Sequence, residues 1–300
     1  MTNKLRPLLA TEVKNLKDLK LPMLASVKLD GIYALIVDGV IYSRSFKPIK
    51  NKYVQKLFGN RDLNGLVGEL VCGDVYAEDV FRQTTTATMA EDGVNDVKLY
   101  VFDDWSVGDK PYQERYQHYQ RRIKALNHGS IVALEHNVLH TIDEVITALD
   151  KEQKRNGEGI ILRLPSAKWK NGRSTPKSQE SVKLKFFEQQ EYKIVDVVER
   201  MHNANEAKIN EMGYTERSSH KDNMIPMNTF GAFVMELQDG RNFNVGSGLG
   251  LTDAVRKEIW NNRDKYIGKI ATVRQMKVGS KNGIPRLPTF VGLRDKEDMS

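Results

Sequence analysis

A lysine is followed two residues later by a carboxylate in the run Val27-Lys28-Leu29-Asp30-Gly31, which follows an apolar stretch and precedes a strand-like segment. A lysine amine is a nucleophile only after losing its proton, which requires surroundings that disfavour the charged form. Strand alternation places Lys28 and Asp30 on the same side of the chain. Because a nearby carboxylate stabilises an ammonium, chemistry here also requires a divalent cation that offsets the carboxylate charge. Taken alone, the run is explained equally by a surface lysine before an Asp-Gly turn.

Other charged residues stand at the ends of predicted strands in the first part of the chain. They are Arg44, Glu69, Asp103, Glu158, Lys183 and Lys185. Each one separately fits a solvated side chain. Strands that converge in one sheet bring such ends together, so the pattern as a whole predicts a polar cleft.

The elements that must position these residues follow from periodicity and turn signals. Strands are predicted over 21–45, 66–76, 98–105, 131–139, 158–163 and 181–187, with Asp38-Gly39 turning a hairpin. Helices are predicted over 48–58, 111–127 and from Thr141 to Gly157, with Pro or a capping box at their starts. Residues 1–20 are predicted to form a short helix or arm, and 80–93 a short helix.

The pattern changes after Phe187, where short strands dominate. Strands over 192–199, 230–245, 267–278 and 290–293, with a helix over 252–262, suit an OB-type barrel that binds nucleic acid. A polar stretch over about 202–229 is long for an insertion in a small barrel and indicates a functional segment. The sequence therefore predicts an α+β chain with two domains, 1–188 and 189–300.

Composition limits the classes of protein that fit. The 300 residues carry a net charge of +7, which favours a polyanionic partner such as nucleic acid. No apolar run reaches the roughly 18 residues that a membrane span needs, and the first residues lack the apolar core of a signal peptide. A single cysteine, Cys72, suits a reducing compartment. We therefore expect a cytoplasmic protein, in the host-cell cytoplasm or nucleoid if it is viral or from a phage.

Six short motifs in order resemble those of the covalent nucleotidyltransferases, which include ATP-dependent DNA ligases and mRNA capping enzymes. They are Lys28-Leu29-Asp30-Gly31, Ser43-Arg44, Gly68-Glu69, Tyr100-Val101-Phe102-Asp103, Glu158-Gly159-Ile160-Ile161-Leu162-Arg163 and Lys183-Leu184-Lys185. The tail from Pro285 to Glu297 is similar to the last motif of small viral and phage DNA ligases. The resemblance covers essentially the whole chain, and ordered motifs are far more specific than any one of them.

The resemblance implies a nucleotidyltransferase (adenylation) domain of antiparallel sheets and flanking helices, followed by an OB-fold β-barrel with a DNA-clasping latch near 202–229. It implies an ATP-dependent DNA ligase that acts in replication, repair or recombination. Lys28 would take AMP from ATP, pass it to the 5′-phosphate of a nick, and the 3′-hydroxyl would then displace it. Mg²⁺ would assist, with Mn²⁺ as a substitute, and the enzyme would find nicked duplex DNA as a monomer without a protein partner.

The same resemblance assigns roles to residues. It implies that the catalytic residues are Lys28, Asp30, Lys183 and Lys185. It implies that the metal ligands are Asp30, Glu69 and Glu158. The nucleotide would be bound by the catalytic lysines with Ser26, Arg44, Glu69, Phe102, Glu158, Arg294, Asp295 and Lys296. Of these, Phe102 would stack on adenine and Glu69 would bind a ribose hydroxyl. DNA would be contacted by Ser43, Arg44, Lys47, Lys50, Arg173, Lys208, Tyr214, Arg217, Lys221 and Lys281. Lys47, Lys50 and Lys52 are interpreted as one helix face, which fits DNA contact or simple solvation about equally.

One position departs from the family. Two residues after the glycine of the first motif, the viral ligases have an arginine that contacts the nick phosphate, and this chain has Tyr33. Either Arg44 binds that phosphate alone or another cation substitutes.

Three other functions fit parts of the pattern. A capping guanylyltransferase shares the lysine chemistry but uses GTP, and an RNA ligase shares the first domain. A non-enzymatic nucleic-acid binder would explain the basic charge and the barrel but not the ordered motifs. Nucleotide specificity separates the first of these from a DNA ligase, whereas salt dependence of DNA binding separates none of them.

Overall fold

Two compact units divide the chain, Met1–Phe186 and Phe187–Ser300. The computed structural model describes residues 5–248, 250–281 and 283–294. In these ranges no helix is long and apolar enough to cross a membrane.

The first unit is built from short strands with four helices packed on them. Its strands are β1 (Leu8–Leu9), β2 (Met23–Val27), β3 (Ile32–Val37), β4 (Val40–Ser43), β5 (Leu66–Cys72), β6 (Val97–Asp104), β7 (Ile131–Ala133), β8 (Asn137–Leu139), β9 (Gly159–Arg163), β10 (Gly172–Arg173) and β11 (Ser181–Lys185). Its helices are α1 (Lys52–Phe58), α2 (Val80–Met89), α3 (Tyr112–Leu126) and α4 (Ile142–Lys154).

A five-stranded sheet has the order β4-β3-β5-β6-β7, antiparallel except for the β6–β7 pair. Alternate residues of its strands, such as Ile36, Leu70 and Val101, point to one face and join the core with helices α1, α2 and α3. The intervening residues Tyr33, Glu69 and Phe102 therefore lie on the opposite face.

A four-stranded antiparallel sheet has the order β11-β9-β2-β8. Ala25, Leu162 and Leu184 belong to its core, which also contains Val145 of helix α4. The same alternation leaves the other face of β9 and β11 to Ile161, Arg163 and the two lysines of β11. Each sheet of the first unit thus buries one face under helices and keeps one face with polar groups.

Side-chain caps fix where two of the helices begin. Asn51 accepts a hydrogen bond from the backbone N–H of Val54 at 2.9 Å, and Thr141 from that of Glu144 at 3.2 Å. The second cap confirms the predicted helix start. The first shows that the prediction of a helix from Pro48 was wrong, because helix α1 begins only at Lys52. Lys47 and Lys50 precede it and share no helix face with Lys52, which instead contacts Glu91 at 2.9 Å.

Two further predictions about the first unit need correction. Residues 131–139 are not one strand: β7 belongs to the five-stranded sheet and β8 to the four-stranded sheet, separated by Leu134-Glu135-His136. Residues 5–20 contain no α-helix but only the two-residue strand β1, which pairs with β10, and a 3-10 turn at Leu16–Asp18. The segment extends along the four-stranded sheet instead, where the N–H of Thr11 donates to the carbonyl of Ser181 at 3.0 Å and Leu19 joins the core. Of the two predicted forms, the structure therefore shows the arm.

Over the residues that the structure describes, the second unit is a single large sheet with a hairpin extension and one α-helix. Its elements are β12 (Phe187–Asn203), β13 (Ala207–Ile209), β14 (Thr215–Arg217), β15 (Met224–Glu236), β16 (Asn242–Val245), α5 (Asp253–Asn261), β17 (Ile270–Lys281) and β18 (Ile284–Leu293). The sheet order is β16-β15-β12-β17-β18, and its core contains Phe230, Phe233 and Ile259. β13 and β14 pair only with each other.

The predicted β-barrel is not closed in the part of this unit that the structure describes. The edge strands β16 and β18 share no ladder, and the sheet ends meet only through an isolated bridge between Gly248 and Phe290. The architecture is therefore an OB-like open sheet. A long polar segment interrupts it between β12 and β15, and Asn205 ties that segment together by donating to the carbonyls of Ser218 and His220 at 3.0 and 2.9 Å.

Candidate active site

Lys28 lies directly after β2, where the strand pairing continues for one more residue. Its backbone N–H donates to the carbonyl of Gly159 at 2.9 Å, which fixes the residue beside the start of β9. Its Nζ donates to Oε2 of Glu158, and the lysine side chain retains only 19% of its exposure. The lysine that the sequence singled out is therefore largely buried and in contact with a carboxylate.

Glu158 lies between two lysines. Its second oxygen, Oε1, is 2.6 Å from Nζ of Lys185, and the glutamate side chain is 3% exposed. Burial opposes ionisation of Glu158, but the charges of Lys28 and Lys185 outweigh it and lower the pKa of the carboxyl. Burial and the charge of Lys28 lower the pKa of Lys185, against the opposite effect of Glu158. The three groups form a compact charged triad.

The register between β11 and β9 explains this arrangement. Lys185 pairs with Gly159 and Lys183 with Ile161, so both lysines lie on the same face, two residues apart. Lys183 Nζ lies 3.2 Å from Oε1 of Glu12, a residue of the amino-terminal segment. That segment is fixed along β11, because the N–H of Lys183 donates to the carbonyl of Thr11 at 2.8 Å.

An open cavity of about 200 Å³ lies between the polar faces of the two sheets. The five-stranded sheet contributes Tyr33, Glu69 and Phe102 to its wall, and the four-stranded sheet contributes Ser26, Ile161 and Arg163 among others. Lys28, Lys183 and Lys185 line it as well. A cavity with both apolar and charged walls suits a nucleotide, since such sites combine apolar contact with a few placed polar groups.

Glu69 is half-buried in this wall and carries no lysine partner of its own among the described contacts. Burial raises its pKa to about 8, and the negative charges of Glu158 and Asp30 add to the effect, although Lys28 opposes it. At neutral pH the carboxyl is therefore mostly protonated, so it can donate as well as accept a hydrogen bond. That state suits a sugar hydroxyl better than a metal ion.

The metal assignments are only partly supported by this arrangement. Asp30 lies in the turn between β2 and β3, close enough to raise the pKa of Glu69, but it is not part of the cavity wall. Within the described ranges, His, Cys, Asp and Glu side chains form no group of three or more placed to hold a metal ion. The carboxylate oxygens are nevertheless the donor type that Mg²⁺ prefers, and Mg²⁺ takes several ligands from water and phosphate.

Arginines border the open side of the cavity. Arg44, which follows β4, and Arg173 of β10 are exposed and contribute to the wall. Arg173 donates from Nη1 to the carbonyl of Ala10 at 2.9 Å. Ser43 lies at the end of β4 with its hydroxyl 3.1 Å from that of Ser45, and Lys47 and Lys50 are exposed nearby in sequence.

The remaining predicted residues belong to the second unit. Lys208, Tyr214, Arg217 and Lys221 are all exposed in the segment between β12 and β15. Arg294 follows β18 and forms an ion pair with Glu191. Asp295 and Lys296 lie outside the described residues, and so does the side chain of Lys281, whose backbone ends β17.

Sequence reasoning missed two polar residues of the cavity wall. The sequence marks Arg163 only as the end of a strand, and Tyr33 only as a departure from the family pattern. Both follow from alternation, since Arg163 lies two residues after the wall residue Ile161 and Tyr33 pairs with Glu69 across the sheet. Assigning each strand residue to the core face or the opposite face of its sheet would have identified both residues.

A largely buried lysine with a carboxylate partner and two further lysines around a cavity with apolar and charged walls suits covalent nucleotidyl transfer. Comparison with known families gives the same class. A sequence profile described as ATP dependent DNA ligase domain matches residues 7–185, and one described as DNA ligase OB-like domain matches residues 226–294. The chain belongs to the ATP-dependent DNA ligases, enzymes that join DNA strands using ATP.

Solved structures agree with this assignment. Two structures of the chlorella virus DNA ligase-adenylate are 26% and 28% identical in sequence, with TM-scores of 0.54 and 0.55. They cover 96% and 98% of this chain, and 99% of their own chains in both cases. A Lig E DNA ligase, 20% identical, covers 98% of this chain and 100% of its own with a TM-score of 0.71, which shows a shared fold. A comparison with curated protein sequences finds no significant match.

Proposed function

We propose that Lys28 is the residue that carries AMP, and that this ligase seals nicks between a 3′-hydroxyl and a 5′-phosphate in duplex DNA. The observation that carries the proposal is the triad of Lys28, Glu158 and Lys185, whose two lysines line the cavity. It provides a nucleophile, a carboxylate in contact with the nucleophile, and a second cation within the same site.

In the first step the Nζ of Lys28 attacks the α-phosphorus of ATP, a phosphoramidate bond forms and pyrophosphate leaves. The amine attacks as the neutral base, so the proton it shares with Glu158 must leave it first. Lys183 and Lys185 neutralise the oxygens of the α-phosphate, which is the main requirement of this kind of transfer. Phe102 offers a face for the adenine, and the mostly protonated Glu69 suits a ribose hydroxyl.

Glu69, mostly protonated, is left to the ribose, and Asp30 and Glu158 are the residues that would hold Mg²⁺, with Mn²⁺ as a substitute. Their oxygens fit a hard cation, and the small number of carboxylates fits an ion that keeps water and phosphate ligands. When bound, the metal would offset negative charge on the phosphates and beside the lysine.

In the second and third steps AMP moves from Lys28 to the 5′-phosphate of the nick, and the 3′-hydroxyl then displaces AMP. Arg44 is placed at the open side of the cavity, where a guanidinium fork can bind that phosphate. We assign backbone contacts to Ser43, Lys47, Lys50 and Arg173, and in the latch of residues 202–229 to Lys208, Tyr214, Arg217 and Lys221. Lys281 would add to these contacts.

Three residues at the end of the chain would act in the first step alone. Arg294, Asp295 and Lys296 would orient the pyrophosphate group, which leaves before DNA binds. We expect a monomer that recognises the nick unaided.

The test is intact mass after incubation with Mg²⁺ and ATP, with GTP in parallel, on protein first treated with pyrophosphate to remove any bound AMP. We expect a gain of one AMP with ATP, no gain with GTP, and no gain in Lys28→Ala. Sealing of a labelled nicked duplex then tests the later steps. An unchanged mass with ATP would overturn the role of Lys28, and a gain of GMP would contradict the ATP specificity.

A further inference from the structure

Two buried side-chain atoms on residues that line the cavity have no hydrogen-bond partner within the described part of the chain. They are Oη of Tyr33 and Nε of Arg163. Buried polar groups in folded proteins are almost always paired, so an unpaired one in a binding cavity indicates a partner supplied by the ligand or by water. Here two such atoms share one cavity.

Both residues surround the ring of Phe102. The ring of Tyr33 lies 5.8 Å from that of Phe102, centroid to centroid, and the guanidinium of Arg163 lies 4.8 Å from the Phe102 centroid. Nη1 of Arg163 is held by Asp103 at 3.2 Å, which leaves the Nε edge of the guanidinium available. The two unpaired atoms and the aromatic ring therefore form one corner of the cavity.

The chemistry of the two atoms is complementary. An Nε–H can only donate, whereas a phenol can donate and accept. Burial raises the pKa of the Tyr33 hydroxyl far above its ordinary value, although the nearby charge of Arg163 opposes this, so the phenol stays neutral. Together the two atoms can therefore bind a ligand that presents one hydrogen-bond acceptor and one hydrogen-bond donor.

The position of this corner relative to Lys28 follows from the strand register. Gly159, beside the catalytic lysine, and Arg163 are four residues apart on β9, a distance of about 13 Å along the strand. That distance compares with an extended nucleoside monophosphate. A nucleotide whose α-phosphate lies at Lys28 therefore reaches this corner with its base.

We propose that Tyr33 and Arg163 bind the edge of the adenine base of ATP, with the hydroxyl accepting from the 6-amino group and Nε–H donating to a ring nitrogen. This rests on the proposed role of Lys28. Adenine presents an amino donor beside a ring acceptor, whereas guanine has a carbonyl in place of the amino group. The assignment also explains the departure at Tyr33: its hydroxyl is buried in the cavity wall, and the nick phosphate is left to Arg44.

The first test is the rate of self-adenylation against ATP concentration in Tyr33→Phe. We expect KM for ATP to rise about five- to tenfold, as for a lost buried hydrogen bond, with the maximal rate within about twofold of the parent. Melting of the free protein should occur at the same or a higher temperature, because the variant removes an unpaired hydroxyl. An unchanged KM for ATP would overturn the proposal.

Base analogues identify the partner of each atom. Purine riboside triphosphate lacks the 6-amino group, so the parent and Tyr33→Phe should show equal KM for it. Arg163→Lys should raise KM for ATP. This rise should be smaller for 7-deaza-ATP or for 1-deaza-ATP, according to which ring nitrogen accepts from Arg163. An equal rise in KM for ATP and for every analogue would show that these residues do not recognise the base, which contradicts the proposal.

A matched control separates binding from folding. Tyr119 is a fully buried tyrosine whose hydroxyl donates to the carbonyl of Leu134 at 3.1 Å and whose side chain belongs to the core. Tyr119→Phe should lower the melting temperature and leave KM for ATP unchanged. If the parent protein forms no AMP adduct, the proposed role of Lys28 fails; if it forms one and Tyr33→Phe behaves like the parent, only this inference fails.

Discussion

Two buried carboxylates of the first unit each lie between two cations, and they differ in which cations they hold. Glu158 contacts Lys28 and Lys185, one lysine on each oxygen. These lysine side chains keep 19% and 12% of their exposure, so both can reach the cavity. A lysine ammonium is a point charge that can lose its proton. Unlike the planar guanidinium of an arginine, it does not bind a carboxylate in one fixed orientation.

Asp103 instead contacts two arginines. Arg115 binds it through Nε at 2.7 Å and Nη2 at 3.1 Å, and Arg163 through Nη1 at 3.2 Å. Arg115 is 1% exposed and donates its remaining Nη1 to the carbonyls of Lys110 and Ala167. Arg115 is thereby held in a fixed fork geometry, whereas Arg163 binds Asp103 through one nitrogen and has no partner for its Nε within the described residues.

The type of cation separates a reacting ion pair from a structural one. Both carboxylates are almost completely buried, so burial alone does not distinguish them. An amine that can be released and deprotonated allows chemistry, whereas a guanidinium with its donors engaged fixes a position. Exchanging the two types of cation tests this distinction directly.

Lys28→Arg should have the largest effect. An arginine keeps the positive charge beside Glu158 and should leave the fold intact, but it cannot become the neutral nucleophile. We expect AMP transfer to the protein to fall by at least roughly a thousandfold, below detection by intact mass. Circular dichroism and the melting temperature provide the control for folding. Adenylation of the variant, at the substituted position or at another lysine, would refute the distinction.

The reverse exchange in the structural cluster, Arg115→Lys, should reduce stability without reducing chemistry. A lysine keeps the charge but loses the fork to Asp103 and the donors to two carbonyls, at a cost of roughly 2–3 kcal/mol. Denaturant titration measures this loss. At low temperature, where the variant stays folded, we expect adenylation within about twofold of the parent. A large loss of activity in folded protein would mean that this cluster also acts in catalysis.

Much of the arrangement around these carboxylates could be predicted from the sequence, because the order of the motifs and the alternation of residues along a strand are read from the chain itself. The hairpin at Asp38-Gly39, the capped start of helix α4 and the two lysines on one face of β11 all follow from neighbouring residues. Adjacent motifs on paired strands then converge on one cavity. The ordered motifs carried the assignment to the ligases.

Long-range features could not be derived in the same way. Nothing local shows that β7 and β8 join different sheets. Nor does it show that Asn51, whose Oδ1 caps helix α1, donates from Nδ2 to the distant carbonyls of Ala90 and Gly93. Periodicity gives the face on which Tyr33 lies but not that Arg163 stands opposite. Which charges become partners depends on strand register across the whole domain.

Glu69 is a third carboxylate of the first unit, and its neighbours are mostly acidic. Its pKa is raised by burial from 4.5 in the unfolded chain to about 8 in the folded one. The folded state therefore binds more protons between these values, and the free energy of unfolding falls as the pH rises through this window. The free energy of unfolding cannot fall by more than about 1.4 kcal/mol per pH unit for one group, and it should fall by less for a half-buried group.

We expect Glu69→Gln to remove this dependence. Denaturant titrations between pH 5 and pH 8 in metal-free buffer should show the parent losing roughly 1–2 kcal/mol relative to the variant. Glu158, whose pKa is lowered by its two lysines despite burial, has the opposite sign: its contribution is present above pH 4.5 and is lost in more acidic solution. Parallel curves for parent and Glu69→Gln would show that the carboxyl is ionised throughout.

The smallest effect is expected where an ion pair is both exposed and displaced by substrate. Lys183 contacts Glu12 at 3.2 Å, and the Glu12 side chain is 57% exposed. Such pairs contribute about 0–1 kcal/mol and are weakened by salt. If Lys183 binds the α-phosphate, it must leave Glu12 first, so Glu12→Gln should lower KM for ATP by up to about threefold at low salt. The difference should vanish at high ionic strength, whereas Lys183→Ala should raise KM at every salt concentration. A rise in KM in Glu12→Gln would mean instead that Glu12 positions Lys183 for the nucleotide, as Glu158 does for Lys185.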